Sequence, residues 1–289
     1  MSKKSSVAVI GLGAMGLPIA INLAQAGYST QAWNRSVAPR STATSKGVEV
    51  LDALSGLSAD IFLITLPDLP QLESVLEAGL SKALKPGNLL IIMSTVSPTK
   101  IVSFAQQMKE VGVEVLDCPM SGGELGAKNG SLSLMIGGAN EIFEWAKPIL
   151  EVLGKTIVLM GPIGTGQLTK AVNQLVVSIN LVAIGEAVTL ARRAGLDTEK
   201  VLDIFSGGLA NSAALELRRP KILSGNFEAG GKSKFLVKDL AFAMEAANST
   251  HTELPISKIV AQLYSDLIAS GDGDLDHSAI IKEIERLNN

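Results

Sequence analysis

The 289-residue chain contains a single cysteine, Cys118, so no intrachain disulfide can form and a reducing compartment fits. Its two histidines, His251 and His277, together with that one thiol cannot assemble a Cys/His zinc cluster. Aromatic residues are only 4% of the chain and no block of Lys or Arg occurs, which argues against a nucleic-acid surface built from cations and stacking rings. Charge is sparse as well: Asp, Glu, Lys and Arg make up 18%, below the roughly 25% of an average soluble domain, and the formal net charge is −3. What the chain does have is apolar material, 47% of its residues, enough for a large core and too much for intrinsic disorder. The length is that of about two domains.

So apolar a composition raises the question of a membrane span, which needs about 20 consecutive, mostly apolar residues. The best stretch, Ala171 to Ala191, carries Asn173, Gln174, Ser178, Asn180 and Glu186 and reads instead as a helix buried in protein. The opening Met-Ser-Lys-Lys-Ser-Ser runs straight into Val7–Ile10, too short for a signal-peptide core, and no small-residue cleavage site follows. The closing Arg-Leu-Asn-Asn carries no lipidation or peroxisomal signal. The expectation is a soluble, cytoplasmic protein with neither a membrane nor a nucleic acid as partner.

Short apolar runs alternate with helical periodicity through the first half. Val7–Ile10, Thr30–Trp33, Ile61–Thr65, Leu89–Met93 and Val113–Leu116 read as strands; Met15–Ala26, Gln71–Leu84 and Pro98–Lys109 read as helices. That alternation predicts βαβ units and a parallel sheet buried on both faces. The pattern changes near Gly161-Pro-Ile-Gly164. One helical pattern runs from Thr165 to about Arg193 and stops at Gly195, and after it Val201–Phe205, Lys238–Asn248, Pro255–Ala269 and Ser278–Leu287 all read as helices. The expected architecture is an α/β Rossmann-type domain, residues 1–161, followed by an all-α domain, residues 162–289, joined by a long interdomain helix.

Gly11-Leu12-Gly13-Ala14-Met15-Gly16 follows the first strand and opens the first helix, the context in which a G-x-G-x-x-G loop binds a dinucleotide. Gly11 permits the tight turn, Gly13 lets the backbone approach a pyrophosphate at the helix N-terminus, and Gly16 allows close helix–strand packing. About 20 residues on, NAD sites of this kind carry an Asp or Glu for the ribose hydroxyls. Here the second strand ends in Asn34-Arg35-Ser36, with Arg40 one helical turn further on, and no carboxylate occurs between Gly27 and Gly47. A guanidinium suits a 2′-phosphate, so the reading is NADP, with NAD as the alternative. Leu66, Pro67 and Thr95 follow later strands, at the carboxyl edge where ligands of such sheets bind.

Two more segments carry chemistry. Asp117-Cys-Pro-Met-Ser121-Gly122-Gly123 presents a hydroxyl beside unshielded backbone N–H groups, suitable for a small carboxylate, although alone it reads equally as a strand-end turn. In Gly164-Thr-Gly-Gln-Leu-Thr-Lys170-Ala-Val-Asn173, Lys170 and Asn173 share one face of an otherwise apolar helix. A lysine there either snorkels to the surface or has a function.

These motifs, with Lys238-Asp239-Leu240 and the closing Gly273-Asp-Leu-Asp-His-Ser-Ala279, resemble in order and spacing the β-hydroxyacid dehydrogenase family, over essentially the whole chain. That family includes 3-hydroxyisobutyrate dehydrogenase, tartronate semialdehyde reductase and the glyoxylate/succinic semialdehyde reductases. The resemblance implies hydride transfer between a nicotinamide and a small β-hydroxyacid or its semialdehyde. It implies Lys170 as catalytic acid/base, Ser121, Gly122 and Gly123 as carboxylate anchor, Asn173 orienting substrate, and Thr95 and Lys238 contacting the cofactor. One departure is the segment Asn226–Phe235, which is more basic and glycine-rich than is common in the family and leaves the substrate open.

Other reductase types lack their residues. Neither Tyr28 nor Tyr264 has a lysine four positions on, as a Tyr-x-x-x-Lys enzyme needs, and His277 beside Asp276 reads as a helix-cap neighbour. Two readings stay open: a non-catalytic NADP-binding module of the same fold, and an imine reductase-type enzyme, against which Lys170 argues. The long helix has apolar residues on more than one face, including Leu175, Val176, Ile179, Leu181, Val182 and Ile184, which predicts a homodimer or homotetramer.

Overall fold

The computed structural model describes residues 4–228 and 230–288. Its internal contacts divide the chain into two compact units, Met1–Lys170 and Ala171–Asn289. The first unit has strands β1 (Val7–Ile10), β2 (Thr30–Trp33), β3 (Glu49–Val50), β4 (Ile61–Ile64), β5 (Leu89–Ile92) and β6 (Glu114–Asp117), of which β1, β4 and β5 are apolar throughout. They pair in parallel in the order β3-β2-β1-β4-β5-β6. Three further strands, β7 (Met120–Ser121), β8 (Leu132–Gly137) and β9 (Gly154–Gly161), extend the sheet beyond β6. β8 runs antiparallel to β6 and β7 and parallel to β9.

Successive side chains of a strand point to opposite faces, and here each face meets its own core. Val7, Val9, Leu63 and Ile91 enter one; Ala8, Ile10, Phe62 and Ile92 enter the other. The helices are α1 (Gly16–Gln25), α2 (Ala38–Ser45), α3 (Leu69–Val75), α4 (Ser81–Ala83), α5 (Pro98–Glu110), α6 (Gly123–Lys128) and α7 (Asn140–Leu153). Ile19 and Leu23 of α1, with Phe143 and Ile149 of α7, cover the first face; Leu72 of α3, with Ile101 and Phe104 of α5, covers the second. The single helix expected over Gln71–Leu84 is interrupted instead: Gly79 adopts φ +135, outside the helical region, and separates α3 from α4.

α8 (Thr165–Arg193) begins in the first unit and runs on through the second, which adds α9 (Thr198–Gly207), α10 (Ala213–Ser224), α11 (Ser233–Ser249), α12 (Pro255–Leu267) and α13 (Ile280–Arg286). Local capping sets these starts: Asp197 accepts from the Glu199 and Lys200 amides, and Ser212 accepts from Leu215. The core gathers Leu181, Leu236, Leu240, Val260, Tyr264 and Ile280. Tyr264 is a packing residue whose hydroxyl donates to the His277 carbonyl at 3.0 Å, and burial pushes its pKa up. Asp276 accepts from the amide and hydroxyl of Ser278 and pairs with Arg218 Nε at 2.8 Å, so His277 follows directly on a capping carboxylate. Among the described residues α8 is the one helix long and apolar enough to cross a membrane; its most apolar stretch has mean hydropathy 1.7 and is half buried.

Candidate active site

After β1 the chain turns at Gly11, φ +101, a conformation that favours glycine. Gly16 then opens α1 so close to the turn that a Cβ on it would lie 1.9 Å from the Gly11 carbonyl oxygen. Two side chains hold the loop from outside: Thr65 Oγ1 donates to Gly11 O at 2.6 Å, and the Leu12 amide donates to Asn34 Oδ1 at 2.9 Å. Gly13 differs from its neighbours, for a Cβ there would meet no heavy atom within 4 Å. A groove of about 610 Å³ borders this stretch, lined by Leu12, Gly13, Ala14, Leu17 and Thr42 among others. A bare, outward-facing backbone at the start of a helix is what a pyrophosphate needs, so the loop fits a dinucleotide.

At the end of β2, Asn34 is turned inward to the loop while Arg35 and Ser36 are exposed. Arg40, read from the sequence as a second cation for a phosphate, is committed elsewhere. Its Nε donates to the Asn34 carbonyl at 2.7 Å and its Nη1 pairs with Asp52 at 2.8 Å. Asp52 lies just past the carboxylate-free stretch, and β3 pairing with β2 brings it back.

Parallel register aligns the strand ends: Ile10 sits beside Trp33 and Ile64, Ile64 beside Ile92, and Ile92 beside Asp117. Leu66, Pro67 and Thr95 therefore follow β4 and β5 on the edge that carries the glycine loop. Asp117, at the end of β6, is fully buried and accepts from the Gly164 and Gln167 amides, each at 2.7 Å. Burial raises its carboxyl above the ordinary aspartate value, against the pull of those N–H groups. The Gln167 side chain reaches the segment after β5: Nε2 donates to Ser94 O at 2.8 Å and Oε1 accepts from the Val96 amide at 2.9 Å. Lys170 follows within the first turns of α8 and is only 8% exposed.

Ser121 ends β7, opposite Ser133 of β8, and is partly exposed. Gly122 and Gly123 follow at φ +125 and +63, two successive positions in the region glycine favours, which turn the chain into α6.

In the second unit Asn173 Nδ2 donates to Gln174 Oε1 at 3.2 Å, and Gln174 Nε2 donates to Asp239 Oδ2 at 2.9 Å. Lys238 Nζ lies 3.6 Å from Asp239 Oδ1 and 5.2 Å from the centre of the Phe242 ring. Asn173 and Lys238, singled out from the sequence, are thus the ends of one polar chain. Its buried middle members, Gln174 and Asp239, were not identified as site residues; a glutamine and an aspartate on apolar helices were the available signal. Among the described residues no group of three or more His, Cys, Asp or Glu is placed to hold a metal ion.

A βαβ sheet with a glycine loop at its first helix, leading into a helical unit, defines a dinucleotide-binding protein. Residues 6–161 match the family described as the NAD binding domain of 6-phosphogluconate dehydrogenase. Residues 164–284 match the NAD-binding family of NADP-dependent 3-hydroxyisobutyrate dehydrogenase. The chain is 39% identical over 283 residues to 2-hydroxy-3-oxopropionate reductase of Escherichia coli, covering 97% of each chain. It is 34% identical to 2-(hydroxymethyl)glutarate dehydrogenase of Eubacterium barkeri, covering 99% of this chain and 97% of that one. The crystal structure of 3-hydroxyisobutyrate dehydrogenase from Salmonella typhimurium superposes with a TM-score of 0.90 at 25% identity, covering 96% of this chain and 99% of that one. The chain belongs to the β-hydroxyacid dehydrogenase family. It is an oxidoreductase of that class, with a nicotinamide cofactor.

Proposed function

We propose that the protein is a cytoplasmic, NADP(H)-dependent reductase of small semialdehyde acids, working reversibly on the matching β-hydroxyacids, with Lys170 as acid/base. The observation that carries this reading is a lysine only 8% exposed on the apolar helix α8, one turn from Asn173. Lysine is rarely so buried without a partner or a task. A nicotinamide held by the glycine loop would supply or take up the hydride. Lys170 delivers a proton to the carbonyl oxygen during reduction and removes it from the hydroxyl during oxidation. Ser121 Oγ and the backbone after it hold the substrate carboxylate, and Asn173, braced by Gln174, orients the carbinol carbon. Leu66, Pro67, Thr95 and Lys238 contact the cofactor; residues 1–161 form the NAD(P)-binding domain and lend Ser121 to the substrate, and residues 162–289 form the helical substrate and oligomerisation domain and lend Lys238 to the cofactor. The relatives' named substrates, 2-hydroxy-3-oxopropionate and 2-(hydroxymethyl)glutarate, belong to the same chemical class.

A reduction screen with NADPH and NADH tests the reading, using glyoxylate, succinic semialdehyde, tartronate semialdehyde and methylmalonate semialdehyde, with butyraldehyde as the uncarboxylated control. At least one acid should turn over while butyraldehyde is poor, and Ser121→Ala should raise KM for the acid. Equal kcat/KM for butyraldehyde and succinic semialdehyde would contradict the anchor.

NADPH should be preferred at least about tenfold in kcat/KM, because a charge-assisted Arg–phosphate contact contributes about 1.5–3 kcal/mol. With Arg40 held by Asn34 and Asp52, the exposed Arg35 carries that contact. Arg35→Asp should remove most of the preference and leave the NADH rate similar; a wild type that favours NADH rejects the assignment.

We also infer a homodimer or homotetramer. Within the second unit α8 leaves Val172, Val176 and Leu190 at 54, 58 and 70% exposure, and a second copy of the chain would cover this apolar face. Light scattering at micromolar concentration should give at least 60 kDa, twice the 30.1 kDa chain; a stable monomer rejects it.

A further inference from the structure

The first turn of α8 is fastened on two sides by groups outside the chemistry. Asp117 accepts from the Gly164 and Gln167 amides, both at 2.7 Å, so a buried carboxylate at the end of β6 satisfies N–H groups that a helix start otherwise leaves without partners. The fit leaves no slack. A Cβ on Gly166 would lie 2.6 Å from Asp117 Oδ2 and 2.3 Å from the Met135 carbonyl, and one on Gly137 would lie 2.3 Å from Asp117 Oδ1. From the same turn the Gln167 carboxamide bonds to the segment after β5, to Ser94 O at 2.8 Å and from Val96 N at 2.9 Å. Those two backbone groups flank Thr95. Gln167 is 1% exposed and Asp117 fully buried, so water does not compete for these bonds.

We propose that Asp117 and Gln167 form a clamp that fixes Lys170 relative to the Thr95 loop, and that they are positioning residues for proton transfer. The proposal rests on the reading of Lys170 as acid/base. Gln167 lies less than one helical turn before Lys170, and both of its neighbours in the clamp belong to the same compact unit. Rotating or sliding the first turn moves the ammonium directly, and a displacement of 1 Å at a reacting group costs on the order of 10²-fold in rate. Backbone hydrogen bonds alone would leave the turn anchored only along α8. The carboxylate and carboxamide tie it to the ends of β5 and β6.

The test is a double-mutant cycle of Gln167→Met, similar in volume and unable to make either bond, against Lys170→Ala in the full-length protein. Its probe is whichever of the four semialdehyde acids the wild type reduces fastest with NADPH. Gln167→Met should lower kcat by about 10²-fold, with the NADPH dissociation constant changed less than threefold. In the Lys170→Ala background the same change should cost less than threefold further, because nothing remains to be positioned. In the unliganded protein the Val96 amide should exchange with solvent at least tenfold faster in Gln167→Met. Asp117→Asn, which puts an NH₂ against a backbone N–H, should lower kcat by a similar factor and likewise cost little more in the Lys170→Ala background. Additive losses in the cycle, or a Gln167→Met enzyme with lowered Tm and unchanged kcat, overturn the clamp. Full activity of Lys170→Ala instead removes the acid/base reading on which it rests, and the exchange rate at Val96 still reports whether Gln167 holds the loop.

Discussion

Lys170→Ala should lower kcat by 10²–10⁴-fold, the usual contribution of proton transfer by a placed side chain, and leave the NADPH dissociation constant within threefold of the wild type. The two readouts separate because the residues divide the work. In the proposed site the glycine loop and Arg35 hold the cofactor at the ends of β1 and β2, whereas Lys170 lies on α8 and is 8% exposed. Lys170→Arg should be nearly as slow, since a guanidinium is not deprotonated in proteins and cannot take a proton from a hydroxyl. Steady-state kinetics with the best semialdehyde acid and a fluorescence titration with NADPH check both halves. Turnover near the wild-type rate in Lys170→Ala removes the acid/base role.

Much of this was legible in the sequence because the signals are local. Four-residue apolar runs bounded by turns gave strands β1, β4 and β5, since a strand covered on both faces needs no polar alternation. The glycine loop was readable because Gly11 and Gly16 answer steric demands six residues or fewer apart, a left-handed turn and a close helix–strand approach. The stretch from Gly123 to Gly161 was not. β9 is a one-sided strand with exposed positions, its pairing to β8 shifts register twice, and α7 carries Pro148 inside the helix, where proline ordinarily signals a break. Pro220 hid α10 in the same way.

The site was legible only as far as its residues act alone. Asp117 could be seen as the end of a strand, but its acceptor role joins it to Gly164, 47 residues away, and no spacing rule reaches so far. Arg40 failed for the mirror-image reason: its helix position promised a free cation, and pairing of β3 with β2 supplied Asp52 to occupy it. Gln174 and Asp239 needed the packing of α8 with α11 before either had a partner.

Gly16→Ala and Gly13→Ala should separate the two demands on the phosphate loop. At Gly16 the added carbon would lie 1.9 Å from the Gly11 carbonyl oxygen and 2.3 Å from Thr65 Oγ1, both in the hydrogen bond that closes the loop. Backbone cannot swing aside as a flexible side chain can, so α1 must shift away from the end of β1. Overpacking of this kind costs about 1–3 kcal/mol, more where the obstacle is backbone. Alanine's better helix propensity offsets at most about 1 kcal/mol, so the clash wins. With about 2–4 °C per kcal/mol in a domain of this size, Tm should fall by about 4–8 °C, and cofactor affinity should fall with it because the loop has moved. At Gly13 the added methyl meets nothing within 4 Å, and the backbone there does not occupy the left-handed region. Gly13→Ala should therefore melt within about 1 °C of the wild type without cofactor, a surface change free of strain. Its methyl would nonetheless stand in the proposed approach of the pyrophosphate, and the NADPH dissociation constant should rise at least tenfold, about 1.4 kcal/mol. Differential scanning calorimetry of the unliganded proteins and NADPH titration give both numbers. Wild-type affinity in Gly13→Ala would show that the phosphates do not approach this backbone, and a wild-type Tm in Gly16→Ala would mean that the helix and strand are not in the close contact described.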